Sequence, residues 1–545
     1  MAVFRWVFLA LLFACAAKAG PTEPMPEPAK STFYEDLVTL FKEWRAFETP
    51  PLRNGAPDYT EARLTRAHAQ LPSWRARLNA IDASGWPIPQ QIDWHLLRAE
   101  MNGFDFNCRV LRPWTRDPAF YKSVWSSQSD TPAHEGPMHH APIELWQYEF
   151  PLSDAAAQKL SDELKTVPPL LEQARLNLTG NAFELWVAGF RDIRSQERTL
   201  AQLEAKVPKS VKPALIAARD ATSAMIDWMQ TQTEKKTGPS GIGKDDYTWY
   251  LQNVHLVPLT WEDEVRLLQR ELDRAWTSLK LEEHRNRALP EAVAAMNAEE
   301  YDAQADDSAS YLMRFLEEKD VMPVKANMEP ALREHLGQFV PSAIRNFFWI
   351  TAHFDPTPLY THFYHWWDLA QMRDEPHPSP LRREALLYNI WDSRAEGTAT
   401  GVEEMFLHAG LYDERPRSRE IVWIMLAQRA ARGLGSLHAH ANAITMEEAG
   451  EVHMDWTPRG WMRTERELLI FEQHLYLRQP GYGTSYVTGK YLFEKLVAKY
   501  AQQRDSAGKP FVLKEFFREF NDVGLIPMSL IHWQMTGSDE LVPGR

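Results

Sequence analysis

The sequence predicts a mainly α-helical protein, large and many-helixed with few short strands, and three stretches carry that expectation. Thr260 with Asp263 forms a capping-box-like start, followed by Val265, Leu268, Leu272, Trp276 and Leu279 at three- and four-residue spacing. That is the stripe of a helix with one face in a core. Ser153 precedes an Ala/Leu-rich run that stops before Pro168-Pro169, where proline disfavours a continuing helix. Residues 381–411 read as a long helical segment closed by Gly410. No internal repeat is visible.

From the start of the chain, residues 1–19 have the charge, apolar run and small-residue end of a secretory signal, with Ala17-Lys18-Ala19 as the cleavage site before Gly20. Leu12-Phe13-Ala14-Cys15 is the lipoprotein-type alternative, in which Phe13 is bulky for the pattern. No later apolar run reaches the roughly 18 residues that span a bilayer. Loss of the signal removes Cys15 and leaves Cys108 alone, so the mature chain has no internal disulfide. Such a chain is expected to be a well-cored periplasmic or secreted protein. A lone cysteine is most often a small buried hydrophobe. Residues 20–31, rich in Pro and Glu, read as a flexible tether.

The formal net charge of −14 becomes more negative once Arg5 and Lys18 leave, which argues against nucleic acid or an anionic membrane surface as partner. Gly238-Pro239-Ser240-Gly241-Ile242-Gly243-Lys244 is glycine-rich, but no strand precedes it as a phosphate cradle requires. It reads as the loop joining an N-terminal helical lobe, 32–245, to a C-terminal lobe, 246–545. Glu299, Glu300, Asp302, Asp306 and Asp307 lack calcium-loop spacing and read as solvated surface.

Within 381–411, Asp392, Glu396, Thr400 and Glu403 are spaced four, four and three residues apart and share one helical face. Gly397-Thr398-Ala399-Thr400-Gly401 follows Glu396. Each glycine costs about 1 kcal/mol against Ala inside a helix, so two of them point to a neighbouring backbone packed close. Carboxylates buried there need a cation, a metal or a proton; an exposed acidic face is the bland alternative. Upstream, His362 and His365 are three residues apart, about 60° round a helix and within reach of one metal. Zinc commonly takes such a pair with a carboxylate from a following helix.

The order of these pieces resembles the bacterial domain-of-unknown-function 885 (DUF885) family, whose members look like helical zinc metallopeptidases of the gluzincin type. The family pattern has His-Glu-x-x-Pro-Gly-His-x-x-Gln, then Glu-Gly-Trp-Ala-x-x-x-Glu. Here Glu396-Gly397-Thr398-Ala399 and Glu403 match the second motif, while His362 and Gln371 keep the frame of the first. Arg432 and His440 resemble its Arg and Leu-His segment. Pro480-Gly481-Tyr482-Gly483-Thr484-Ser485-Tyr486 matches Pro-Gly-Gln-x-x-Ser-Tyr with Tyr482 for Gln, and 511–527 looks like its closing helix and turn.

The resemblance implies a two-lobed metallopeptidase-like fold with a ligand cleft between the lobes. The departures fall on the chemistry. Phe363 stands where the family's proton-transferring Glu does, Asp368 replaces the second His, and Trp366-Trp367 replaces Pro-Gly. The expected metal set is therefore His362 and Glu396 with His365 or Asp368, and zinc the expected ion. Glu403 or Asp392 would orient a ligand. His440, Arg432 and Tyr486 would stabilise oxyanion charge. The function expected is a metal-dependent hydrolase of a peptide-like or other small substrate with its usual base lost. The alternative is a non-catalytic protein binding a peptide or glycan in the cleft, with Phe363, Trp366 and Trp367 as platform.

Overall fold

Several helices begin where a capping side chain stands, among them those after Ser153, Thr260, Asn297 and Thr445. In the computed structural model, which describes residues 29–133, 135–462 and 467–544, Ser153 accepts the Ala156 N–H and Thr260 with Asp263 closes a full capping box. The expected signal segment with Cys15, and most of the tether, lie outside the described residues.

The elements that matter for the site are α1 (Tyr34–Glu48), α2 (Ile88–Phe106), α3 (Phe183–Leu203), α4 (Lys212–Gln232), α5 (Trp261–Arg285), α6 (Thr357–His362), α7 (Tyr364–Asp374), α8 (Asp392–His408), α9 (Ser418–His440), α10 (Glu467–Arg478) and α11 (Tyr482–Ser506). Among the described residues, strands make only two small sheets. β1 (Leu52–Arg53) pairs antiparallel with β2 (Ala56–Pro57), Leu52 opposite Pro57, and β3 (Val124–Trp125) pairs parallel with β4 (Ile143–Glu144), Val124 opposite Ile143. The protein is mainly α. No helix among the described residues is long and apolar enough to cross a membrane.

Two large apolar cores form among the described residues, beside two small clusters. The larger takes Trp44 of α1 and Phe104 of α2 together with Leu268, Val402, Ile424 and Phe493 from α5, α8, α9 and α11. The smaller is built by α3, α4 and the segment around Phe120, with Trp186, Ile193 and Met225 inside. The first helices thus share a core with the C-terminal part of the chain, a grouping that differs from a cut at residue 245. The glycine-rich loop at 238–244 lies against the end of α9: Gly243 N–H donates to the His440 carbonyl, and Gly241 N–H to Asn442 Oδ1. Cys108 is half-buried, and burial pushes its thiol up to about 12, which favours the protonated thiol.

The helix expected from residue 381 begins only at Asp392. Side chains from α2 hold the preceding turns instead. Asp93 takes Arg382 at 2.6 Å, Glu100 accepts the Leu387 N–H at 2.7 Å, and Asn389 sits in the left-handed region at φ 52°. Tertiary hydrogen bonds override a local helical pattern there.

The two glycines do what their cost requires. α8 packs against α11, where a Cβ on Gly397 would collide with the backbone of Gly489 and a Cβ on Gly401 would lie 2.7 Å from the Phe493 ring. Gly489→Ala should therefore destabilise the protein by about 1–3 kcal/mol, as overpacked cores do. Gly85→Ala, where a Cβ meets nothing within 4 Å, is the control. The urea midpoint reads both, and equal midpoints would mean that the helices separate at no cost.

Candidate metal centre

Two helices bring the histidines together through a break. His362 ends α6 and His365 lies in the first turn of α7, with Phe363 (φ −68°, ψ 15°) between them. The Thr361 hydroxyl bonds back to the Pro358 carbonyl and the Trp366 N–H reaches Phe363 O, a tightened turn in place of one continuous helix. The imidazole centroids are 5.0 Å apart and nearly perpendicular. α8, drawn in by its glycines, presents Glu396 between them. Its Oε2 lies 3.1 Å from His365 Nε2 and 3.6 Å from His362 Nε2.

These distances suit a metal. Ligands held at about 2.0–2.1 Å round a tetrahedral ion stand about 3.3 Å apart, between the two values found. His362, His365 and Glu396 are buried and offer donor atoms all within 4.8 Å of one another. Neighbouring side chains contact Glu396 and His362. Tyr482 O–H donates to the other Glu396 oxygen at 2.7 Å, leaving Oε2 for a cation. His362 Nδ1 lies 2.8 Å from Glu403 Oε1, which makes no hydrogen bond among the described residues, and Arg429 lies between the two groups, its Nη2 donating to His362 Nδ1 at 3.1 Å and its Nη1 to Glu403 Oε2 at 2.7 Å. Burial opposes the charge of Glu396, but His365 and His362 hold its carboxyl well below the usual range. Burial likewise opposes the charge on His365, and Glu396 overcomes it, raising the imidazole to about 9.

His362 forms part of the wall of a cavity of about 300 Å³ that also has Arg429, Arg432, Glu472, Tyr482 and Tyr486 in its lining, with Phe363 and Trp349 among the apolar residues. The loop after β3 adds Asp130 and Glu135. It is pinned from the end of α10 and the residue beyond, where Arg478 donates to the Pro137 carbonyl and Gln479 Oε1 accepts the Gly136 N–H. Burial, with Asp130 and Glu396, raises the Glu135 carboxyl to about 8. Burial and Glu396 also raise Asp130, against the pull of His365 and His362.

Of the residues expected from sequence, His362, His365, Glu396 and Glu403 meet, and Arg432 and Tyr486 line the adjoining cavity. Three do not join them. Asp368 spends both oxygens on Arg394 of α8, at 2.9 and 3.1 Å, and belongs to a buried ion pair. His440 lies eight residues beyond Arg432, about 12 Å along α9. Its Nε2–H donates to the Tyr476 carbonyl at 2.8 Å, and burial lowers its pKa to about 4. Asp392 hydrogen-bonds Gln479 rather than a ligand of the set. Trp366 stacks on His335 and Trp367 donates to the Met328 carbonyl, so of the expected platform only Phe363 faces the cavity. Arg429 was legible as the residue one turn before Arg432. Asp130 and Glu135 sit in an irregular loop with no periodic signal, and Tyr482 stands out only as a departure from the family motif.

No family model matches the chain, and no curated protein matches it in sequence. Solved structures do. A protein from Shewanella oneidensis, described as "a putative lipoprotein of unknown function", superposes with a TM-score of 0.65 at 15% identity over 92% of this chain and 97% of its own. Another, described as a "putative lipoprotein" from Colwellia psychrerythraea, superposes at 0.62 with 12% identity over 93% and 99%. At such identity the likeness establishes a shared fold.

Asp368 and His365 are separable by experiment. Asp368→Asn strips Arg394 of its counter-charge and should cost about 3–5 kcal/mol in urea unfolding while zinc content, read by elemental mass spectrometry, stays unchanged. His365→Ala should lose the zinc. Zinc lost with Asp368→Asn in folded protein would restore Asp368 to the ligand set.

Proposed function

We propose that the protein is an exported metal-dependent hydrolase of small peptide-like substrates, and that His362, His365 and Glu396 hold the metal, zinc by their donor chemistry. The observation that carries this reading is the convergence of two imidazole Nε2 atoms and one carboxylate oxygen at metal-ligand spacing, backed by Glu403 and Tyr482, at the wall of a cavity. A divalent cation held by these three residues would supply Lewis-acid chemistry for hydrolysis.

The chain's own groups supply the rest. Phe363 cannot carry a proton, and Glu135 takes the acid half of that task, giving its proton to the leaving amine and regaining the one that the attacking water loses. Its carboxyl lies 3.3 Å from the Tyr482 hydroxyl that bonds Glu396, and its raised pKa lets it deliver a proton to a leaving amine near neutral pH. Arg432, its guanidinium 4.0 Å over the Tyr486 ring, provides fixed positive charge toward an oxyanion. Phe363 in the usual base position also favours a second reading, a cleft that binds such ligands without cleaving them. Export draws support from the signal-like start and from neighbours described as lipoproteins. Intact mass separates a mature end at Gly20 from a diacylated Cys15.

Four measurements test the reading. Purified protein should carry zinc stoichiometrically, and Glu396→Gln should lose it. A mixed peptide library should be cleaved with zinc present and left intact after chelation, as read by mass spectrometry. Glu135→Gln should keep the zinc and slow cleavage by about 10²–10⁴-fold. Zinc without cleavage would favour the binding reading; no zinc would remove the metal reading. A proton on His365 competes with the cation, so zinc affinity should fall as pH drops below about 9 and level off above it, measured by competition with a chromophoric chelator. Affinity flat between pH 6 and 9 would take His365 out of the ligand set.

A further inference from the structure

Resting on the reading of this cavity as the place where a peptide-like ligand lies, we propose that the ligand ends in a free carboxylate and that Arg432 binds that end. Arg432 is 2% exposed, yet it spends only Nη1, on Glu472, and its Nε has no hydrogen-bond partner. Arg429, one turn earlier on α9 and lining the same cavity, also has an unpartnered buried Nε. A guanidinium is always charged, and a buried N–H without an acceptor costs stability, so two such donors beside one cavity are placed for an acceptor that arrives from outside the chain. The planar fork suits a carboxylate, which takes two parallel N–H bonds. The Tyr486 ring under the Arg432 guanidinium keeps that fork in one plane.

The rest of the lining fixes the sign and size of the ligand. Asp130 and Glu135 line the loop side with carboxyl groups and no cation, so a second anionic group finds no partner there. The anionic end therefore has one favourable place, at the arginines, and a singly charged carboxylate fits better than a dianion such as a phosphate. At about 300 Å³ the cavity is at the small end of ligand sites, room for a dipeptide-sized molecule. Phe348, Trp349, Leu359 and Phe471 make its remaining wall apolar and suit an apolar side chain.

Calorimetric titration of the mature protein with Leu-Phe, its C-terminal amide and its N-acetyl form tests this, both with zinc and after metal removal. The free acid should bind about tenfold or more tightly than the amide in both conditions, the loss expected for a charge-assisted hydrogen bond. N-acetylation should not remove that preference. Arg432→Lys keeps a cation for Glu472 but loses the fork, and should reduce the acid-over-amide ratio at least about fivefold. Equal binding of acid and amide, no binding of any of the three, or a full preference retained in Arg432→Lys would each overturn the inference. The acid–amide comparison on the unaltered protein stands whether or not the variant folds. Zinc content and cleavage are separate readouts, so a protein that prefers the acid yet holds no zinc refutes the metal reading and leaves this one intact.

Discussion

The site depends on the backbone-to-backbone approach of α8 and α11 through Gly397 and Gly489. That approach carries Glu396, 1% exposed, into an interior where a lone carboxylate is expensive. Every feature around it answers that cost. His365 and His362 supply positive charge or metal-binding nitrogen on one side, and the Tyr482 hydroxyl caps the other oxygen. A helix pair without the glycines would sit farther apart, and Glu396 would not reach the histidines.

Charge matching continues outward from that point in a chain of buried pairs. Arg429 lies between His362 and Glu403; Arg432 meets Glu472; Asp368 meets Arg394. Removing one partner from such a pair is costly because the other is left charged in a poor solvent for charge. Arg394, Arg429 and Arg432 each keep an Nε without a hydrogen-bond partner. They differ in place: Arg429 and Arg432 line the cavity beside His362, and Arg394 does not.

Much of this was legible in the sequence where spacing along one helix is enough. Glu396 and Glu403 on one face, the two glycines between close helices, the caps at Ser153 and Thr260, and the mainly helical class all follow from periods of three and four residues. The His362/His365 proximity was legible too, although the structure reaches it through a break at Phe363. What failed was assignment by motif position alone. Asp368 and His440 stand where a family pattern puts chemistry, and each has found a partner elsewhere in the fold.

The sequence by itself determined the helices, their buried faces and the carboxylates that those faces carry, because these are local consequences of side-chain period and backbone preference. Only the tertiary structure decided which charged groups meet. Asp130 and Glu135 reach the cavity on a loop pinned by Arg478 and Gln479, some 340 residues later in the chain, and residues 381–391 lost their helix to Asp93 and Glu100 of α2. Pairings of that kind depend on where separate segments come to lie. They are set by the balance of desolvation against opposite charge once the segments have packed.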